Sequence, residues 1–161
     1  MPNNITHYEL EEFLPEETKQ KLLHIATNLK DEDWTVHTST LTGKPSVLHY
    51  FDLKMKFNGR SCYLLMIRPN AIQDWHTDGG KRKTALIYPL SDNYAPCKFE
   101  KGETTAPVLL NTQTYHAVFN NDTKRINLNI SFEEDIDTVF DQIKKEKYEL
   151  HRDSITHINS I

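Results

Sequence analysis

The sequence predicts a mainly β protein, a sandwich or barrel of short strands with a helix on either side. Three features carry that expectation. Asn58-Gly59 joins two apolar runs as hairpins require, five further β-type runs follow at short intervals from Thr84 to Phe132, and helical periodicity is confined to the ends of the chain. A length of 161 residues suits one domain. We expect residues 1–161 to form it, with a helix at about 15–30, a β core at about 36–132 and a second helix at about 134–147.

Leu14 to Lys30 reads as the first helix. Pro15 suits its first turn, Glu16 and Glu17 face the positive end of the dipole, and Leu22, Leu23, Ile25, Ala26 and Leu29 recur at helical spacing. Asp31, Glu32 and Asp33 end the pattern. Phe51 to Phe57 then alternates, with Phe51, Leu53, Met55 and Phe57 on one face and Asp52, Lys54 and Lys56 on the other. Cys62 to Ile67 is the second arm of the hairpin. Pro69 to Asp74 reads as turn material. Thr84 to Leu90, Cys97 to Glu100, Ala106 to Leu110, Tyr115 to Phe119 and Arg125 to Phe132 read as strands. Ile136, Val139, Phe140 and Ile143 fit the helical i, i+3, i+4, i+7 pattern. Beyond Tyr148 no period is visible.

Composition narrows the function. A net charge of −4 leaves no basic excess for holding nucleic acid by counterion release. No apolar run is long enough to span a bilayer and the first residues lack a secretory pattern, so a cytoplasmic protein without a membrane partner is expected. Cys62 and Cys97 are too few for a disulfide scaffold and read as reduced and buried. Sixteen aromatic residues are enough to build a core.

Of eight histidines, two begin a His-x-Asp: His76-Thr77-Asp78 and His151-Arg152-Asp153. The first lies between strands, where a ligand loop can be held rigid; the second lies in the unpatterned tail and reads as solvated. His116, on an otherwise apolar strand, needs a partner for its ring nitrogens, either backbone or a metal. Nine residues later Arg125 opens a strand whose period places Ile126, Leu128, Ile130 and Phe132 on one face and Arg125, Asn127, Asn129 and Ser131 on the other. That polar face either meets water or lines a pocket. If His116 and Arg125 lie on adjacent antiparallel strands, the pocket is beside the histidine and the arginine offers a fork to a carboxylate. Two histidines and one carboxylate make a facial triad with open metal positions, the arrangement of non-haem Fe(II) oxygenases.

His76, Asp78, His116 and Arg125 together make the sequence resemble the Fe(II)/2-oxoglutarate-dependent dioxygenases, whose motif is His-x-Asp, a distal His, and a basic residue about ten positions later. The segment Leu110 to Asn120, followed by Arg125, resembles the aspartyl/asparaginyl and prolyl hydroxylase-like branches and their small stand-alone members. The resemblance covers about Cys62 to Phe132. It implies a double-stranded β-helix (jelly-roll, cupin-like) core, with His76, Asp78 and His116 as catalytic ligands of Fe(II). It further implies Arg125 on the distal carboxylate of the cosubstrate 2-oxoglutarate, with Asn127 and Arg68 as further cosubstrate contacts. The implied activity is hydroxylation by O2 of an unidentified substrate, such as a peptide, amino acid or small metabolite, with release of succinate and CO2. The alternatives are a zinc-dependent hydrolase, which leaves Arg125 without a role, and a non-catalytic jelly-roll binding module. Trp75 reads as packing and Lys81-Arg82-Lys83 as a solvated loop, while Tyr63 and Tyr88 are weaker candidates for the pocket. His7, His24, His37 and His49 show no pairing pattern.

Overall fold

The computed structural model describes residues 5–39, 42–57 and 59–145. His151-Arg152-Asp153 and the expected end of the second helix at 147 lie outside them. Along the chain come β1 (His7–Glu9), α1 (Glu16–Asn28), a 3-10 turn (Asp31–Asp33), β2 (Thr35–Thr38), β3 (Pro45–Phe57), β4 (Arg60–Ile67) and β5 (Ile72–His76). There follow β6 (Thr84–Pro89), β7 (Cys97–Phe99), β8 (Gly102–Thr104), β9 (Val108–Asn111), β10 (His116–Phe119) and β11 (Arg125–Phe132). Residues 136–145 form a second helix, α2. No helix among the described residues is long and apolar enough to cross a membrane.

The strands form two antiparallel sheets. One has the order β1-β9-β6-β11-β4-β3-β2 and the other β5-β10-β7-β8. Directly paired residues share a face, so register sorts the side chains of the large sheet. Leu64, Leu86, Leu109, Leu128 and Ile130 occupy the outer face, packed against Leu22 and Ala26 of α1 and Ile136, Val139 and Ile143 of α2. Ile67, Ala85, Ile87, Val108 and Leu110 occupy the inner face, against Cys97, Phe99 and Val118 of the small sheet. Arg125, paired with Ile67, and Asn129, paired with Tyr63 and Ile87, share that inner face. The polar side of β11 therefore points into the space between the sheets.

Four sequence expectations change. Ile72 to Asp74 is strand, not turn: largely exposed, it carries no alternation to reveal it, yet β5 pairs with β10. β1 and the short β8 had no sequence signal. β10 and β11 are not neighbours but belong to different sheets, the link at 120–124 crossing between them, so His116 and Arg125 face one another across the interior rather than along one ladder. The run from Phe51 is interrupted between Asp52 and Lys56, where three residues face one on β4 and Lys54 takes a φ of 58°. Two extra residues preserve the side-chain period, which is why Leu53 and Met55 still reach the outer core.

Candidate metal centre

His76 ends β5, His116 begins β10, and the two are direct partners across the antiparallel pair. That register puts both imidazoles on one face, with ring centroids 4.3 Å apart. Two residues further on, the Asp78 amide donates to the carbonyl of Thr112 at 2.8 Å, tying the loop to the segment that leads into β10. The Asp78 Oδ1 atom then lies 3.4 Å from His76 Nε2 and 3.3 Å from His116 Nε2. One ligand atom from each residue falls within 4.8 Å of the others. Neighbouring ligands on an octahedral ion are roughly 3 Å apart when each bond is about 2.1 Å. The two contacts of Asp78 Oδ1 are within a few tenths of an ångström of that spacing, and all three ligand atoms lie within 4.8 Å of one another.

The outer nitrogens fix the rings. His76 Nδ1 is 2.7 Å from the Asp74 carbonyl and His116 Nδ1 is 2.9 Å from that of Thr114. A carbonyl only accepts, so each Nδ1 carries a proton; each Nε2 is turned to the centre, free to ligate a metal when it carries none. Burial alone would raise the Asp78 carboxyl, but hydrogen bonds from His116 and His76 and the charge of Arg82 outweigh it and hold it well below the usual carboxylate range. At His76, burial is likewise outweighed by Asp78 and the Asp74 carbonyl, and the ring is raised above its ordinary value. The site is organised around a negative oxygen between two imidazoles.

Arg125 is 4% exposed, and its guanidinium carbon stacks 4.0 Å from the Tyr94 ring centre. Its Nε donates to the Ala95 carbonyl at 2.9 Å. Its Nη2 and the Tyr94 hydroxyl are buried without a hydrogen bond of good geometry, although the two side chains lie close enough to interact. Poorly satisfied polar groups side by side in an interior are costly, and a carboxylate can accept from both the guanidinium and the hydroxyl. The Cys97 thiol lies near enough to feel the charges of both Arg125 and Asp78, and burial, the larger influence, pushes it up to about 11. The donor set therefore fits a divalent metal with a carboxylate-bearing ligand reaching towards Arg125.

Of the other sequence candidates, Asn127 is buried on the inner face beside Arg125, with its amide donating to the Leu128 carbonyl at 3.1 Å. Arg68 is not brought to the centre. It is exposed and turned to His49 at 3.4 Å and Asp31 at 3.8 Å, because it shares strand parity with Met66 on the outer face and not with Ile67. Tyr88 also points outward and accepts hydrogen bonds from the Phe13 and Leu14 amides. Trp75 is exposed instead of packed.

Sequence reasoning missed three residues at the site. Tyr94 had only the signal of an aromatic side chain in a polar loop. Arg82, read as solvated, places Nε 3.5 Å from Asp78 Oδ2, the oxygen turned away from the histidines. His37, on β2, is close enough to feel both Arg82 and Asp78; burial, the larger influence, lowers its pKa. A hollow of about 650 Å³ against α1 contains none of this chemistry.

No protein-family model matches the sequence, and no curated protein matches it. Solved structures do match the fold. A prolyl hydroxylase from Trichoplax adhaerens, in complex with a hypoxia inducible factor oxygen degradation domain peptide fragment, superposes with a TM-score of 0.64 at 11% identity, over 81% of this chain and 85% of that one. A Pseudomonas putida prolyl-4-hydroxylase gives 0.59 at 13% identity, over 80% and 92%. The viral collagen prolyl hydroxylase of Paramecium bursaria Chlorella virus-1, solved as a 2OG complex, gives 0.51 at 10%, over 80% and 95%. What is shared is the architecture: the chain is a double-stranded β-helix, or jelly roll, with helices packed on its larger sheet.

Proposed function

We propose that the protein is an Fe(II)- and 2-oxoglutarate-dependent dioxygenase that hydroxylates a C–H bond and releases succinate and CO2. The observation that carries this reading is the pairing of the His76, Asp78 and His116 triad with a second interior feature, the buried Arg125 guanidinium stacked on Tyr94 with its Nη2 poorly satisfied. A metal alone explains the first and not the second. The fold shared with prolyl hydroxylases supports it.

In this reading His76 Nε2, His116 Nε2 and Asp78 Oδ1 hold the metal. Arg125 and Tyr94 bind the distal carboxylate of 2-oxoglutarate, and Asn127 closes the wall beside them. The iron and the oxo-acid supply the oxidising chemistry when bound. The protein's contributions are positional. The Asp74 and Thr114 carbonyls lock the two imidazoles, Arg82 steadies the outer oxygen of Asp78, and the inner faces of Ile67, Val118 and Cys97 exclude water. No side chain is required as a general base. The test is succinate formation by purified protein supplied with Fe(II), ascorbate, O2 and 2-oxoglutarate. Slow uncoupled turnover that Asp78→Ala abolishes supports the reading, while hydrolytic activity with zinc and none with iron overturns it.

A further inference from the structure

A groove of about 510 Å³, walled by Arg60, Ser61, Tyr63, Arg82, Ser131 and Glu134, is linked to the triad through Arg82. Its size is that of a small-molecule site. Arg82 belongs to both places, lining the groove while its Nε faces Asp78. Anything seated against Arg82 is therefore one side chain from the metal ligands.

The charges in the groove are unequally committed. Arg60 is ion-paired with Glu134 Oε1 and lies over the Phe132 ring at 4.9 Å. Arg82 Nε is buried and committed to Asp78 at 3.5 Å, an ion pair without hydrogen-bond geometry, whereas Glu134 Oε2 is buried with no hydrogen bond. Backbone pairing brings their two segments together: the Lys83 amide donates to the Phe132 carbonyl at 2.9 Å, and the Thr84 hydroxyl to the Glu134 carbonyl at 2.8 Å. The groove is thus lined by a guanidinium whose recorded ion pair lies on its Asp78 side and by an unfilled carboxylate oxygen, from adjoining strand ends. When Asp78 shares its charge with a metal, Arg82 loses part of its nearest counter-charge, and the demand for an anion grows.

We propose that this groove is the substrate site and that it takes a free α-amino acid, the α-carboxylate pairing with Arg82 and the α-amino N–H groups donating to Glu134 Oε2. The substrate assignment rests on the dioxygenase reading above; the binding assignment rests on the groove alone. A carboxylate matches the guanidinium fork, and an adjacent nitrogen donor matches the second unfilled position. A residue within a peptide has lost both groups to amide bonds and satisfies neither.

The test is ligand binding by the full chain, measured by saturation-transfer NMR and calorimetry with the L-amino acids and their primary amides, with and without Zn(II) plus 2-oxoglutarate. The expected result is saturable binding of at least one free acid. Its amide should bind roughly ten- to hundredfold more weakly, the loss of a hydrogen-bonded charge contact. Arg82→Gln should lose a similar factor and Arg82→Lys less, each checked for folding by circular dichroism. The proposal is overturned if no free acid saturates in either state or if amides bind as well as acids. It is equally overturned if Arg82→Gln weakens Co(II) binding while leaving amino-acid affinity intact, since Arg82 would then serve only to hold Asp78. Amino-acid binding that persists in a chain unable to bind 2-oxoglutarate upholds the groove and removes the dioxygenase reading.

Discussion

Replacing Arg125 by glutamine separates a cosubstrate anchor from a structural arginine. In the protein, Nε is already engaged by the Ala95 carbonyl, whereas Nη2 is buried and unbonded. The fold has thus stripped water from this atom before any ligand arrives. One hydrogen bond from a charged donor contributes about 1.5–3 kcal/mol net, and truncating one member of a buried charge pair costs about 2–5 kcal/mol. Taking the overlap, about 2–3 kcal/mol, Arg125→Gln should weaken 2-oxoglutarate roughly 30- to 150-fold. The assay is calorimetric titration of the Zn(II) protein with 2-oxoglutarate and, in parallel, with pyruvate, which has the oxo-acid end but no distal carboxylate. Pyruvate should bind the wild type weakly and the variant equally weakly. An equal loss for both ligands, with an unchanged unfolding midpoint, would refute the anchor, because it would place the effect at the metal end.

Three further outcomes follow from the same geometry. Tyr94→Phe removes only the buried hydroxyl and should weaken 2-oxoglutarate roughly three- to tenfold by calorimetry, leaving pyruvate untouched. Leu128, fully buried between the large sheet and the helices, should cost about 2–5 kcal/mol on conversion to alanine, read from urea unfolding; a loss below about 0.5 kcal/mol would contradict the packing. With the Cys97 thiol pushed up to about 11 and Cys62 also buried, neither cysteine should react with a disulfide reagent in the native state at pH 8. Labelling should accelerate as pH rises towards that value and release both thiols on denaturation; rapid native labelling at pH 8 would contradict the burial.

The centre was legible in the sequence where short spacing carries chemistry. His76 and Asp78 lie two residues apart, and His116 stood out as a polar side chain in an apolar run. Arg125 was marked by the strict alternation of β11, which the register preserves. What sequence could not reveal depends on contacts far apart in the chain. The membership of β10 and β11 in opposite sheets follows from their partners β5, β7, β4 and β6, none of them adjacent in sequence. Arg68 failed for a one-residue reason: one position after Ile67, it falls on the opposite side of the sheet. Arg82 looked like part of a solvated charge run, and only the fold of the loop after Gly79-Gly80 brings it to Asp78. Tyr94 reaches Arg125 from a segment with no periodic pattern at all.

Anaerobic titration with Fe(II) and then 2-oxoglutarate, followed by absorption spectroscopy, tests the central claim most directly. One equivalent of each should generate a visible charge-transfer band, absent in Asp78→Ala and in His116→Ala. A folded wild-type chain that binds Fe(II) or Zn(II) at the triad yet gives no band with 2-oxoglutarate would contradict the assignment of the Arg125 pocket, and with it the proposed reaction.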